Sequence, residues 1–137
     1  MNNASHAIIA FHGTTMDFES FDTERGQLGS HFGTLDQARR ILRGHRRGTP
    51  RILRCRLQIL RPLRLQDFGT FSPIAVGPQL VELGICKSEP RTNADAKAAI
   101  RLAGYDGVVY SNEREGAGDS WIAFDPAQVS VLGRQAL

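Results

Sequence analysis

Apolar residues run from Ala7 to Phe11 and stop at His12-Gly13-Thr14-Thr15, the pattern of a short buried strand ending in a glycine-containing turn. Met16 to Gly29 is polar and punctuated by Gly26 and Gly29. Phe18 and Phe21 alternate there with acidic residues, which predicts a loop held by two aromatic anchors. Thr34-Leu35-Asp36-Gln37 has the form of a capping box, and Ala38, Ile41 and Leu42 supply the apolar stripe of a short helix that Gly44 ends. His45 to Pro50 reads as a basic turn. From Arg51 to Leu65 apolar and polar positions alternate as in a strand, and Pro62 marks an edge position or a bulge near Arg61.

Asp67 to Pro78 has loop character, with a short helix expected around Gln79 to Leu83. Thr92 or Asn93 caps a clearer helix that runs to about Ala103 and stops at Gly104. Gly107 to Ser111 predicts a strand centred on Val108, Val109 and Tyr110. A polar turn follows from Asn112 to Gly118, then a strand from Ser120 to Phe124. Asp125-Pro126 turns the chain into a last strand near Val129 to Leu132. The sum is an α+β fold in which antiparallel strands dominate the second half.

A chain of 137 residues fits one compact domain able to bury a core without metal or disulfide support. Its 41% hydrophobic and 23% charged residues match an ordinary soluble globular protein. The longest apolar runs are strand-sized, far below membrane-spanning length. No charged start, apolar run and small-residue cleavage site open the chain, so no secretory signal is read and a cytoplasmic setting is expected. Cys55 and Cys86 lie far apart without His or Cys at ligand spacing, which predicts buried reduced thiols and no metal site.

Charge changes this picture. The net charge is only +3, yet ten arginines and no acidic residue lie between Arg39 and Arg64. Such a band either attracts an anionic partner or is a solvated face that keeps the protein in solution.

Three segments have residue types suited to chemistry. His12-Gly13-Thr14 at a strand end can grip a flat, amide-bearing ligand, because glycine lets the backbone approach a carboxamide while histidine and threonine bond hydroxyls. A structural histidine is the plain alternative. Gly29-Ser30-His31-Phe32-Gly33-Thr34 places two rings just before a helix N-terminus. One ring would pack into the core and the other stack on a ligand, with the helix start suited to phosphate. Asn112 to Ser120 gathers Glu113, Glu115 and Asp119 ahead of an apolar strand. A carboxylate there can stabilise an oxocarbenium-like sugar cation; otherwise the segment is a solvated hairpin turn.

In this order the strings FHGT, GSHFGT and GYDGVVYSNEREGAGDSWIAFDPAQV resemble the ADP-ribosyltransferase superfamily, in its PARP and diphtheria-toxin-like branch. The likeness is nearest to the small ADP-ribosyltransferase domains of phage and mobile-element polyvalent proteins, and RCRLQILRPLRLQD is similar to the strand after their first helix. It spans about Phe11 to Val131 and implies a split antiparallel sheet core with a few short helices.

That branch carries a His-Tyr-Glu triad around nicotinamide. By position the resemblance assigns His12 to the nicotinamide-side ribose and Gly13 to the carboxamide, with Thr14, Ser30, Phe32 and Tyr110 in the same binding set. His31 stands at the tyrosine position and Ser120 at the glutamate position. Serine carries no negative charge, so Asp119, Glu115 or Glu113 would have to supply it. The implied activity is mono-ADP-ribosyl transfer from NAD to a macromolecular acceptor, by a toxin or effector of a mobile element. RNA 2′-phosphotransfer, NAD hydrolysis, and a catalytically silent NAD, ADP-ribose or nucleic-acid binding module are the alternatives.

Overall fold

The computed structural model describes residues 7–14, 27–43, 48–112 and 118–136. The order is β1 (Ala7–Thr14), β2 (Ser30–Phe32), α1 (Leu35–Leu42), β3 (Arg51–Gln58), β4 (Pro62–Arg64), α2 (Pro73–Glu82), α3 (Asn93–Leu102), β5 (Gly107–Ser111), β6 (Asp119–Ala123), a 3₁₀ turn at Pro126–Gln128, and β7 (Val129–Ala136). The architecture is α+β. One sheet has the order β1-β3-β7 and is antiparallel; the other has the order β2-β6-β5-β4, with only the β4–β5 pair parallel.

Alternation along β3 explains how the first sheet is used. Leu53, Cys55 and Leu57 are buried, whereas Arg54, Arg56 and Gln58 are exposed. The buried set meets Ala10, Phe32 and Ala123, forming the core between the two sheets. The second sheet covers its other face with α2 and α3, where Val76, Leu80 and Ile100 pack against Val108, Ile122 and Phe124. On the outward face of the first sheet α1 seals one end, with Ala38 and Leu42 on Ile52. Gly13 permits this close approach, since a Cβ there would lie 2.6 Å from the Ala38 carbonyl oxygen.

Several boundaries differ from the sequence expectation. The alternating stretch from Arg51 to Leu65 is two strands in different sheets. Ile59 to Arg61 crosses between them, held by the Asp106 carboxylate accepting the Leu60 and Arg61 N–H groups at 2.9 and 2.7 Å. Pro62 opens β4, which is an edge strand, where a missing N–H costs least. The Asp67–Pro78 loop is shorter than expected, because α2 already starts at Pro73 and contains Gly77 and Pro78. Proline at the first helical position fits the helix start. Pro78 cannot donate to the Ile74 carbonyl, but Ile74 is 87% exposed, leaving that group to water. Gly77 packs against Glu89.

Other expectations coincide with the structure. β5 has the anticipated bounds, Thr34 and Gln37 form the capping box, and Thr92 caps α3, which turns at Gly104 with φ +99°. α1 ends at Leu42; Gly44, the expected stop, lies outside the described residues, as do Thr15 of the first turn, 16–26 of the anchored loop, 45–47 of the basic turn and 113–117 of the polar turn. β6 begins one residue early, at Asp119, and β7 extends to Ala136 because β3 offers it pairing partners throughout, across a bulge at Arg54/Cys55. Cys55 is buried and its thiol is pushed up to about 11 by desolvation, whereas Cys86 is half-buried rather than enclosed; neither is in a disulfide. Among the described residues no helix is long and apolar enough to cross a membrane.

Candidate functional site

The two sheets touch edge to edge at one isolated bridge. Phe11 and Gly33 exchange backbone hydrogen bonds of 2.7 and 2.8 Å. Beyond it the chain leaves β2 for α1, and β1 continues through His12 and Gly13. Because strand backbone groups alternate, the N–H and C=O of Gly13 point to the same edge as those of Phe11, away from β3.

His12 points to the inner side of its sheet, sharing it with Leu53. Its Nδ1–H donates to the His31 carbonyl oxygen at 2.7 Å. A carbonyl only accepts, so this bond selects the tautomer in which Nε2 carries the lone pair. The ring also packs on Phe32, with centroids 5.3 Å apart.

His31 is held at both nitrogens. Nε2–H donates to the Gln27 carbonyl oxygen at 2.8 Å, and Nδ1 accepts from the Tyr110 hydroxyl at 3.0 Å. Phe71 and Tyr110 pack around it at centroid distances of 5.6 and 5.9 Å. Burial holds both histidines below their ordinary pKa. The carbonyl of His31 opposes this for His12, and that of Gln27 does so for His31. The charge of His12 lowers His31 further, while the carboxylate of Asp67 raises it.

The linkage sign follows from these shifts. A histidine that is neutral when buried binds fewer protons folded than unfolded below its ordinary pKa of 6.5. The stability it contributes is complete above that value and is lost as pH falls towards the lowered folded pKa. The urea midpoint is therefore expected to drop between pH 7 and pH 5, and this part of the drop should vanish in a His12→Asn/His31→Gln variant. An identical pH profile in the variant would assign the acid sensitivity to carboxylates instead.

A cavity of about 160 Å³ opens at the junction. Of its lining residues Phe11, His12, His31, Phe32 and Tyr110 carry rings, Gly33 and Ile41 make up the apolar remainder, and Gln37, Asn112 and Ser120 form its polar end. The volume suits one small ring and not a whole dinucleotide. The polar end is a closed network. Gln37 Oε1 accepts from the Thr34 N–H at 2.9 Å and the Ser120 hydroxyl at 2.8 Å, and Gln37 Nε2 donates to the Gly118 carbonyl at 3.1 Å. Asn112 Nδ2 donates to Ser120 Oγ at 3.1 Å.

The fold thus brings together His12, His31, Phe32, Tyr110 and Ser120 from four strands. Phe32 is the core ring of its pair, buried against Ala10, Leu53 and Cys55 with part of its surface on the cavity. Gly13, Thr14 and Ser30 do not line the cavity; Thr14 is buried beside it on β1, and Ser30 is paired with Ala123. Asp119 is not brought to it either. It pairs with Ser111, one position off the Tyr110–Ser120 pair, so it faces the opposite side of the sheet. There its carboxylate receives both terminal nitrogens of Arg64, at 2.9 and 3.3 Å. Glu113 and Glu115 lie outside the described residues.

Sequence reasoning assigned no ligand-facing role to Gln37, Asn112 or Asp67. Gln37 was visible as a helix cap, but its bond to Ser120 spans 83 positions. Among the described residues no carboxylate lines the cavity, and no group of three or more His, Cys, Asp or Glu could hold a metal. No protein-family model matches the chain, and no curated protein is significantly similar to it.

Proposed function

We propose that the chain is an NAD-consuming mono-ADP-ribosyltransferase, with the split sheet core of that superfamily and with nicotinamide seated at the junction of β1 and β2. The observation that carries this reading is the convergence of His12 and His31, 19 positions apart, on one ring-sized cavity where the two sheets part. Gly13 has its backbone N–H and C=O directed along the same edge, a donor–acceptor pair matched to a carboxamide. The rest of NAD would extend outside the cavity. The bond from ribose C1′ to the nicotinamide nitrogen breaks with its electron pair leaving on nicotinamide. The acceptor's nucleophile then supplies a pair to C1′ and gives up its proton.

A second reading is favoured by the polar end of the cavity. Ser120 is 2% exposed and spends its hydroxyl on Gln37 and Asn112, and Asp119 is committed to Arg64. Without a carboxylate from Glu113, Glu115 or Asp67, the module would bind NAD or ADP-ribose and not cleave it. The test incubates the protein with NAD labelled on the adenylate side, with cell extract as acceptor source, following nicotinamide release and label transfer. Release with transfer is the expected result. Release alone means hydrolysis; binding without release means the silent module. Absence of NAD binding overturns both readings. Single Asp67→Asn, Glu113→Gln, Glu115→Gln and Asp119→Asn replacements then identify the working carboxylate, with Asp119→Asn expected to be the least harmful.

A further inference from the structure

Four arginines occupy one outward surface that the NAD reading does not use. Arg54 and Arg56 stand exposed on β3, the central strand of its sheet, on the face opposite the core. Arg39 is exposed on α1, and Arg43, also exposed, follows the helix as its extended C-cap. Gln37 and Ile41, which line the cavity, point from the other flank, about 160° round the helix from Arg39 at 100° per residue. The strands of this sheet, as described, contain no acidic residue, and the one carboxylate of α1, Asp36, is paired with Arg40 at 3.1 Å.

We infer that this face docks the phosphate backbone of a duplex nucleic acid. Arg54 and Arg56 are about 7 Å apart along an extended strand, and Arg39 and Arg43 are separated by the last turn of α1, about 5 Å of helix. Two short rows of cations at such intervals suit the repeated charges of a phosphate backbone. Guanidinium groups bind phosphate oxygens bidentately, and elements of regular structure hold them in place. An acidic protein surface would call for buried apolar anchors as well. Here the exposed apolar side chains are the aliphatic Ile9 and Leu132, 45% and 38% exposed. Phe11 lies on this face opposite Arg54, but it is half-buried against the α1 cluster of Ala38, Leu42 and Ile52, so base stacking of a single strand lacks an open platform. What remains is backbone binding that does not read sequence.

The test is fluorescence anisotropy without NAD, so that its outcome is independent of the catalytic reading. The probes are labelled DNA and RNA duplexes of about 20 base pairs, titrated from about 50 to about 200 mM salt. Binding to either duplex is expected, and the two arms identify which is preferred. The slope of log affinity against log salt should be about −3 to −4, for roughly four neutralised phosphates. Arg54→Ala/Arg56→Ala should weaken binding at least roughly tenfold and make the slope shallower by about 2. Arg39→Ala/Arg43→Ala should act in the same direction from a different element, which separates loss of contact from damage to the strand. Arg91→Gln, exposed between α2 and α3, should leave the slope unchanged. The inference is overturned by no affinity at low salt, by tighter binding of polyglutamate or of single strands, or by equal loss in the Arg91 variant.

Discussion

His12→Ala will abolish nicotinamide release and leave the protein folded. The ring does two things, and alanine removes both. Its Nδ1–H fixes the His31 carbonyl, and its remaining edge forms part of the cavity wall. Loss of the first leaves one partly buried carbonyl without that donor, a cost of about 1 kcal/mol, too little to unfold a domain of this size. Loss of the second removes the group proposed to hold the nicotinamide-side ribose, and misplacement of the reacting bond costs roughly a hundredfold or more in rate. Calorimetric titration with NAD beside the release assay distinguishes a binding loss from a turnover loss.

Two further variants separate those roles. His12→Asn can present an amide N–H near the Nδ1 position, which should recover the stability but not the turnover. His12→Gln places its amide nearer the Nε2 position and should retain NAD binding better than alanine does. Turnover within a few-fold of wild type in the alanine variant would remove nicotinamide from this cavity, and full recovery in the asparagine variant would reduce His12 to a support for His31.

Much of the fold is legible because the relevant forces act locally. β5 is read at its observed bounds because Val108, Val109 and Tyr110 are apolar between polar ends, and the α1 cap because Thr34 and Gln37 sit three positions apart. α2 is harder to read, since Gly77 and Pro78 are breakers by intrinsic preference. Tertiary packing overrides that preference: Val76 and Leu80 are wholly buried on either side. The division of Arg51–Leu65 between two sheets is invisible locally, because it depends on Asp106 capturing two N–H groups 45 and 46 positions away.

The site divides the same way. His12 and His31 could be chosen from their neighbouring glycines, and the structure brings them to one cavity. The loop acids could not be ranked from spacing alone. Strand alternation decides that Ser120 faces the cavity and that Asp119 faces Arg64, and a one-residue slip in the register of β6 against β5 would have exchanged them. The pairing partner that sets this register is β5, which is separated from β6 by the polar turn.

Gln37→Leu should then be the most destabilising single change at the cleft. The side chain is 1% exposed and acts in three bonds from its amide: it accepts from Thr34 N–H and from Ser120 Oγ, and donates to the Gly118 carbonyl. Leucine is close in size, so little packing is lost. The bonding partners are the difference. The Ser120 hydroxyl is buried and would lose its acceptor, and the Thr34 N–H would lose its own in a partly buried setting, whereas the Gly118 carbonyl would keep the Asn112 N–H as its donor at 3.0 Å. At about 1–3 kcal/mol for each of the two groups left unpaired, the total comes to roughly 2–4 kcal/mol, allowing for water at the rim. Thr34→Ala breaks only the reciprocal cap bond to the Gln37 N–H and should cost about 1 kcal/mol. Urea denaturation of both variants supplies the comparison. Equal losses would mean that the Gln37 amide serves α1 alone and that the link across to β6 contributes nothing. A much larger loss in Gln37→Leu, with Ser120→Ala adding little on top, would identify the network as what holds α1 and β6 together around the cavity.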